Sequence, residues 1–171
     1  MSAEGSAVTR NFVIMGVSGC GKSSIGAAFA QATGAVFMDG DDLHPQSNIA
    51  KMAAGEALDD DDRAPWLASV GKCFADHDGA LVVGCSALKR SYRDVIRAHA
   101  RGQVTFLHLS GSRAVIADRM SARSDHFMPL SLLDSQFAAL EPLGADENAV
   151  TVDIDQAPEM IVRELLGQVA L

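Results

Sequence analysis

The sequence predicts a single α/β domain built around a parallel β-sheet. Short apolar runs typical of strands alternate with amphipathic stretches typical of helices, and a glycine-rich phosphate-binding motif directly follows the first predicted strand. The size also fits one domain, since the chain has 171 residues, of which 48% are hydrophobic and 21% are charged. A chain of this length buries roughly 70% of its unfolded surface, so its core needs neither a metal nor a disulfide for stability.

Five short runs rich in apolar and β-branched residues are predicted as strands. Several of them are continuously apolar rather than alternating, which is the pattern of strands buried on both faces of a parallel sheet. The five runs are residues 12–15, 36–38, 81–83, 104–109 and 150–154.

Seven stretches between or beside these runs are predicted as helices, and strands linked through helices imply right-handed crossovers. Gly34 follows the first helix, Pro45 and Pro158 lie at or just before helix starts, and Gly79 precedes the third strand. The seven stretches are residues 22–32, 46–54, 64–76, 89–100, 112–122, 131–139 and 159–169.

The charge balance excludes several classes of function. There are 14 Lys and Arg against 22 Asp and Glu, which gives a net charge of −8, so neither nucleic acid nor an anionic membrane is expected as a partner.

The three cysteines have no disulfide or metal-site spacing, and no apolar run approaches the ~20 residues that span a bilayer. The sequence therefore predicts a cytoplasmic protein with a disordered tail at residues 1–10 and one domain at residues 11–171.

The strongest motif is GVSGCGKS at residues 16–23, which matches G-x-x-x-x-G-K-[ST] between a strand and a helix. Its glycines allow successive backbone N–H groups to face an anion, its lysine reaches the β- and γ-phosphates, and its first serine after the lysine ligates Mg²⁺. The alternative is a glycine-rich turn that only joins strand to helix. The predicted ATP-binding residues of this phosphate loop are Gly16, Ser18, Gly19, Cys20, Gly21, Lys22, Ser23 and Ser24, with the Cys20 side chain as a filler.

The phosphate loop predicts a nucleoside triphosphate but not its use. The sequence has no Asn-Lys-x-Asp motif to recognise guanine, and it is too short for a motor or transporter ATPase. A small kinase that phosphorylates a metabolite is therefore favoured.

An acidic segment, DGDDLHP at residues 39–45, follows the second strand, at the sheet edge where α/β proteins bind ligands. In an extended chain Asp39 and Asp41 point the same way, one toward Mg²⁺ and the other toward an acceptor hydroxyl. His44 is either a contact to a polyol or only a helix-entry residue. For the whole segment, the alternative is an acidic loop that caps the next helix.

Cations follow the second and third strands. Arg63 comes after the acidic run at 59–62, which is predicted as a solvated helix start, and it is placed to fold back over the acceptor. Lys89 and Arg93 are four residues apart, so they would share a helix face that suits a carboxylate. The alternative is a solvated face with a cation paired to Asp94.

A further group of cations, Arg113, Arg119 and Arg123, precedes His126. Kinases need a cover that excludes water and cations that stabilise the transferring phosphoryl group. Arg119 and Arg123, one helical turn apart, fit such a lid, which we expect around residues 119–140. The alternative is a helix C-terminus whose arginines complement the helix dipole.

Taken together, the motifs resemble those of the bacterial gluconokinases, the ATP-dependent kinases of D-gluconate. The resemblance runs from about residue 12 to about residue 169. It implies a nucleoside-monophosphate-kinase-like fold with a lid, a five-stranded parallel sheet in the order 2-3-1-4-5, and a homodimer. It also implies transfer of the γ-phosphoryl group of ATP to D-gluconate, with Mg²⁺ as cofactor. The motifs that carry it are GVSGCGKS, DGDDLHP, LDDDDRAPWL, CSALKRSYRD, RSDHF with LLDSQFAALEP, and VDID.

The resemblance also implies roles for individual residues. The open alternatives are a related kinase of shikimate or another sugar acid, and a regulatory ATP-binding module without phosphotransfer. The implied catalytic residues are Lys22, Asp41 and Arg123; the Mg²⁺ ligands are Ser23 and Asp39; the sugar-acid contacts are Asp41, His44, Arg63, Lys89, Arg93 and His126; and the further nucleotide contacts are Arg113 and Arg119, with the adenine near the loop at 155–158.

Overall fold

The computed structural model of the chain describes residues 10–122 and 130–169. Every predicted element is present, with bounds within one residue of the prediction except at the start of the third helix. The predicted tail at residues 1–10 lies outside the described residues apart from Arg10. The strands are β1 (Asn11–Met15), β2 (Val36–Asp39), β3 (Leu81–Gly84), β4 (Val104–Ser110) and β5 (Ala149–Asp153), and the helices are α1 (Lys22–Thr33), α2 (Gln46–Ala53), α3 (Asp60–Asp76), α4 (Arg90–Ala100), α5 (Arg113–Ser121), α6 (Leu130–Ala139) and α7 (Pro158–Gln168).

The five strands form one sheet in the order β2-β3-β1-β4-β5, with every neighbouring pair parallel. This confirms the expected strand order. Because all strands run the same way, the loops after β1, β2 and β3 leave the same edge of the sheet, side by side. The loop before α4 thus lies between the phosphate loop and the acidic segment, and Gly16 N–H donates to Ser86 O across the first of these boundaries.

The core has two layers, one on each face of the sheet. Alternate residues of β1 serve the two layers: Phe12 and Ile14 face one side, and Val13 and Met15 face the other. Phe12 meets Phe29 of α1 edge to face, with ring centroids 5.0 Å apart. Across the described ranges, no helix has the length and apolar character needed to cross a membrane.

The third helix begins four residues earlier than predicted, at Asp60. Asp59 and Asp62 form a capping box, in which Asp59 Oδ1 accepts the Asp62 N–H at 2.7 Å and Asp62 Oδ2 accepts the Asp59 N–H at 2.9 Å. These two bonds satisfy amide groups that a helix start otherwise leaves unpaired. The acidic run is therefore the first turn of α3 itself, and this places Asp60 and Arg63 on one end of the helix.

Candidate active site

The phosphate loop joins β1 to α1. Its glycines Gly16, Gly19 and Gly21 have φ values of 147°, 84° and 98°, a region that side chains disfavour. A Cβ on Gly19 would lie 2.7 Å from Met120 Cγ of α5. Glycine is thus required here by both conformation and space.

Lys22 lies over this loop. Its ammonium group donates to the carbonyls of Gly16, at 3.0 Å, and Val17, at 3.2 Å. The side chain of Cys20 points instead into the core, and burial raises the pKa of its thiol. This geometry supports the interpretation of Cys20 as a filler, while ATP binding by the loop stays a prediction.

The acidic segment after β2 forms a 3₁₀ turn at Gly40–Leu43 rather than an extended chain. The extended geometry from which Asp39 and Asp41 were expected to point the same way is therefore wrong. Asp39 caps the turn, and its Oδ1 accepts the Asp41 N–H at 3.0 Å. Gly40 allows the turn to lie against β3, since a Cβ there would be 2.3 Å from Gly84 O.

Asp41 has a raised pKa. Desolvation by the surrounding protein atoms is the largest cause and the charge of Asp39 is the next, while the charges of Lys22 and His44 oppose the shift. Asp41 therefore lies close enough to the phosphate-loop lysine for the two charges to interact. A carboxylate with a raised pKa is better suited to accept a proton than an ordinary one.

His44 is held in one orientation by two neighbours. Its ring stacks on that of Trp66, with centroids 4.1 Å apart, and its Nδ1 accepts from Asn48 Nδ2 at 3.2 Å. The buried Asn48 also donates from Nδ2 to the carbonyl of Asp62, so this amide nitrogen is the donor in both bonds. The proton of a neutral His44 then resides on Nε2. Burial lowers the pKa of His44, with Asp41 opposing and Arg63 adding to the shift.

Arg63 and Lys89 meet at the side chains of Asp60 and Tyr92. Arg63 Nη1 donates to Tyr92 Oη at 3.2 Å, and Tyr92 Oη donates to Asp60 Oδ1 at 2.6 Å. Lys89 Nζ donates to the same Asp60 oxygen at 3.3 Å. The bonds from Tyr92 and Lys89 lower the pKa of Asp60. Two predicted sugar-acid contacts are thus adjacent and already hold a carboxylate.

Arg93 does not join them, which corrects its predicted role. Its guanidinium is fully buried, pairs with Glu147 at 2.8 Å, and donates to the carbonyls of Ala87, at 2.9 Å, and Leu88, at 3.2 Å. Lys89 is the N-cap residue of α4, with extended φ and ψ, so the two cations share no helix face. Ala87 has a φ of 46°, rare for a residue with a Cβ, and Arg93 braces this strained loop.

Of the predicted lid residues, Arg119 lies in the described part of the chain, whereas Arg123 and His126 fall outside it. The predicted nucleotide contact Arg113 is also described. Arg113 Nε pairs with Asp134 Oδ1 of α6 at 2.5 Å. Arg119 donates from Nη2 to the carbonyl of Ile154, beside the loop expected to lie near the adenine. Helix α6 falls within the predicted lid, yet it packs on the body through the fully buried Leu133.

The residues predicted to hold Mg²⁺ are compatible with that ion. Mg²⁺ takes oxygen ligands and keeps several waters, usually with one or two protein oxygens and the substrate phosphates. Ser23 is an exposed residue at the start of α1, and Asp39 uses only Oδ1 in the hydrogen bonds of the described residues. Within these same residues, no group of three or more His, Cys, Asp or Glu side chains forms a self-contained metal site. The Mg²⁺ site stays a prediction.

Four residues at this edge of the sheet were not predicted as functional. Asp60 and Tyr92 join the Arg63–Lys89 pair, Trp66 supports His44, and Gln136 of α6 bonds to Ser18 of the phosphate loop. The sequence pattern predicts Asp60 on a solvated helix face. The other three lie in motifs that carried the resemblance, but the motifs alone do not indicate their partners.

Comparison with known proteins gives concordant results. The family profile described as shikimate kinase matches residues 18–170. A gluconokinase of Gluconobacter oxydans is 42% identical over 160 residues, covering 92% of this chain and 89% of that protein. The thermoresistant gluconokinase of Escherichia coli is 46% identical over 156 residues, covering 88% of each. The crystal structure of a gluconokinase from Sinorhizobium meliloti superposes with a TM-score of 0.86 at 50% identity, covering 94% of this chain and 91% of that one.

Proposed function

The chain belongs to the gluconokinase family and carries a domain of the shikimate kinase type, and from this premise we propose that it transfers the γ-phosphoryl group of ATP to D-gluconate. The products are ADP and 6-phospho-D-gluconate. The observation that carries the proposal is that Lys22, Asp41 and Lys89 follow β1, β2 and β3 at one edge of the sheet. The charge of Lys22 acts on Asp41, and the charges of Asp41 and Arg63 act on His44. Triphosphate, acceptor hydroxyl and sugar carboxylate each have a matching group there.

The reaction is an in-line transfer in which most of the catalysis is positioning and electrostatic stabilisation. Lys22 contacts the β- and γ-phosphates once it leaves the loop carbonyls, and Arg119 and Arg123 stabilise the charge that develops on the transferring group. Asp41 orients the terminal hydroxyl of gluconate and accepts its proton. Ser23 and Asp39 would hold Mg²⁺, which would supply further charge neutralisation when bound.

The sugar acid binds at the Arg63–Lys89 pair. In the structure, Lys89 Nζ lies 3.3 Å and Arg63 Nη1 lies 3.9 Å from Asp60 Oδ1. The gluconate carboxylate replaces part of this interaction, and Asp60 then accepts hydrogen bonds from sugar hydroxyls. His44 donates from Nε2 to another hydroxyl. Arg93 contributes indirectly, by fixing the loop that carries Lys89.

Two related kinds of activity are not favoured. A kinase of shikimate would share the fold, but the relatives matched over about nine-tenths of this chain are gluconokinases. A regulatory module that only binds ATP has no use for a carboxylate of raised pKa beside the phosphate-loop lysine.

We further infer a cytoplasmic homodimer. The free thiols of Cys20, Cys73 and Cys85 suit a reducing compartment. Helix α2 exposes two large apolar side chains, Ile49 and Met52, at 45% and 43% of their surface, which supports a contact between copies there. Light scattering coupled to gel filtration tests the dimer, and an Ile49→Ser, Met52→Ser variant tests this surface.

The deciding experiment is ADP release by the purified protein with ATP and Mg²⁺. D-gluconate, shikimate, glucose and glucuronate are offered separately, with a reaction lacking any acceptor as the blank and a Lys22→Met variant as the inactive control. Turnover confined to gluconate is expected. Turnover on another acceptor would overturn the sugar-acid assignment, and ATP binding without turnover on any acceptor would favour the regulatory module.

A further inference from the structure

The side chain of Gln136 makes two hydrogen bonds to a single residue of the phosphate loop. Its Oε1 accepts the backbone N–H of Ser18 at 2.6 Å, and its Nε2 donates to Ser18 Oγ at 2.9 Å. A backbone N–H only donates, so the amide oxygen must face it and the amide nitrogen must face the hydroxyl. The two residues are 118 positions apart in the chain, and only the tertiary fold brings them together.

Gln136 extends from a helix that is itself held in place. Leu133, one turn earlier in α6, is fully buried in the core. Asp134 pairs with Arg113 of α5. The position of the Gln136 amide is therefore set by packing and an ion pair that do not involve the loop.

The loop offers Ser18 few other supports. In the described part of the chain, the hydrogen bonds of the Ser18 N–H and hydroxyl both go to Gln136. Next along the loop is Gly19, with a φ of 84°; because it has no Cβ, its backbone adds little restraint of its own to the loop. Holding the Ser18 peptide consequently sets the direction of the peptide groups that follow it, which are the ones that face phosphate in such loops.

We propose that Gln136 is a positioning residue that presets the phosphate loop for the triphosphate. It acts through Ser18 and touches neither the nucleotide nor the sugar acid. The inference rests on the proposed function in one respect only, namely that the loop binds ATP. Loss of the Gln136 contacts should accordingly weaken the binding of MgATP and leave the binding of gluconate unchanged.

The test compares Gln136→Met, which keeps the length of the side chain but removes both polar atoms, with wild type and with Ser135→Ala, a change at the exposed neighbouring position. Calorimetry gives the Kd for MgATP, steady-state kinetics give KM for both substrates, and a thermal melt reports folding. Loss of two hydrogen bonds predicts a Kd and KM for ATP about tenfold higher. The KM for gluconate and the values of Ser135→Ala should stay within about twofold of wild type.

A second variant, Ser18→Ala, removes the hydroxyl but keeps the backbone N–H. In this background the effect of Gln136→Met on the Kd for MgATP should shrink from about tenfold to about threefold, because one of the two bonds is already gone. A full tenfold effect there would overturn the proposed contact.

Two results with Gln136→Met would overturn the proposal: MgATP binding as tight as that of wild type, or equal losses for ATP and gluconate with a lowered melting temperature, which would indicate a merely structural role. Failure of the wild-type protein to bind MgATP would instead refute the proposed function. The two failures are therefore distinguishable.

Discussion

The rings of His44 and Trp66 are stacked with their centroids 4.1 Å apart and their planes at 17°. Trp66 also donates from Nε1 to the buried carbonyl of Gly40 at 2.8 Å. One side chain of α3 thus supports both the 3₁₀ turn and the histidine that follows it.

Trp66→Phe should weaken this support. The ring remains able to stack, but the Gly40 carbonyl loses its donor, which predicts a loss of about 1–3 kcal/mol in the free energy of unfolding. The KM for gluconate should rise more than that for ATP, because the turn carries Asp41 and His44. Urea denaturation and steady-state kinetics measure the two effects, with Lys72→Ala, an exposed change in the same helix, as control. Unchanged stability would show that the hydrogen bond contributes nothing.

Asp41→Asn should abolish most turnover, by about a hundredfold or more, while gluconate still binds. Single-turnover rates together with direct binding of gluconate measure this. Near-normal turnover in a variant that binds gluconate would contradict the proton-accepting role.

In wild type, the raised pKa of Asp41 predicts that kcat/KM falls on the acid side at a higher pH than an ordinary aspartate would give.

The same substitution should not destabilise the fold at neutral pH. The pKa of Asp41 is higher in the folded chain than its usual value, so the folded state binds this proton more tightly than the unfolded state. The resulting stabilisation is present at low pH and disappears as the pH rises through the raised pKa. Urea midpoints at pH 7 should therefore show Asp41→Asn at least as stable as wild type, and a clear loss would argue against the raised pKa.

Arg93→Met should lower the free energy of unfolding. It leaves the buried Glu147 with Arg97 as its remaining cation, and breaking a buried pair costs about 3–5 kcal/mol. The exposed pair of Arg90 with Asp146 offers a matched control, because Arg90→Met should cost no more than about 1 kcal/mol. Denaturant titrations compare the two variants. Equally small losses of unfolding free energy in the two variants would instead support a ligand contact for Arg93.

The lowered pKa of Glu147 predicts how the stability of the wild-type protein depends on pH. Burial alone would raise its pKa, but the hydrogen bonds from Arg93, Arg97 and the Gly144 N–H outweigh burial and lower it to about 2. Because folding lowers this pKa, the stabilisation from Glu147 is complete at pH values above the usual glutamate pKa of about 4.5. It is lost as the pH falls from there toward 2. In Arg93→Met this acid dependence should be shallower, and urea midpoints across that range measure it.

Lys89→Met should impair the sugar-acid site selectively. Removal of one cation from the Arg63–Lys89 pair predicts a KM for gluconate about tenfold higher or more, with the KM for ATP unchanged. Arg90→Met again serves as control, since Arg90 is the adjacent cation but pairs with Asp146. A rise in both KM values, or in neither, would place the carboxylate elsewhere.

The sequence alone was sufficient for the elements of the fold and for the edge of the sheet at which the predicted site residues lie. Strand and helix bounds follow from local hydrophobic patterns and from capping residues, and parallel strands necessarily bring the loops after β1, β2 and β3 to one edge. The phosphate loop was predictable for a similar reason, because its glycines, lysine and serine are contiguous in the chain.

The tertiary structure decided which side chains meet. Lys89 and Arg93 are four residues apart, a spacing that predicts one shared helix face, yet the N-cap conformation of Lys89 separates them. Arg93 is instead buried with Glu147, which is 54 residues away in the chain. Similarly, Asp60 meets Lys89 across 29 positions and Gln136 meets Ser18 across 118. Such contacts depend on how helices pack on the sheet, and packing is determined by the shape and burial of the whole core rather than by any local pattern.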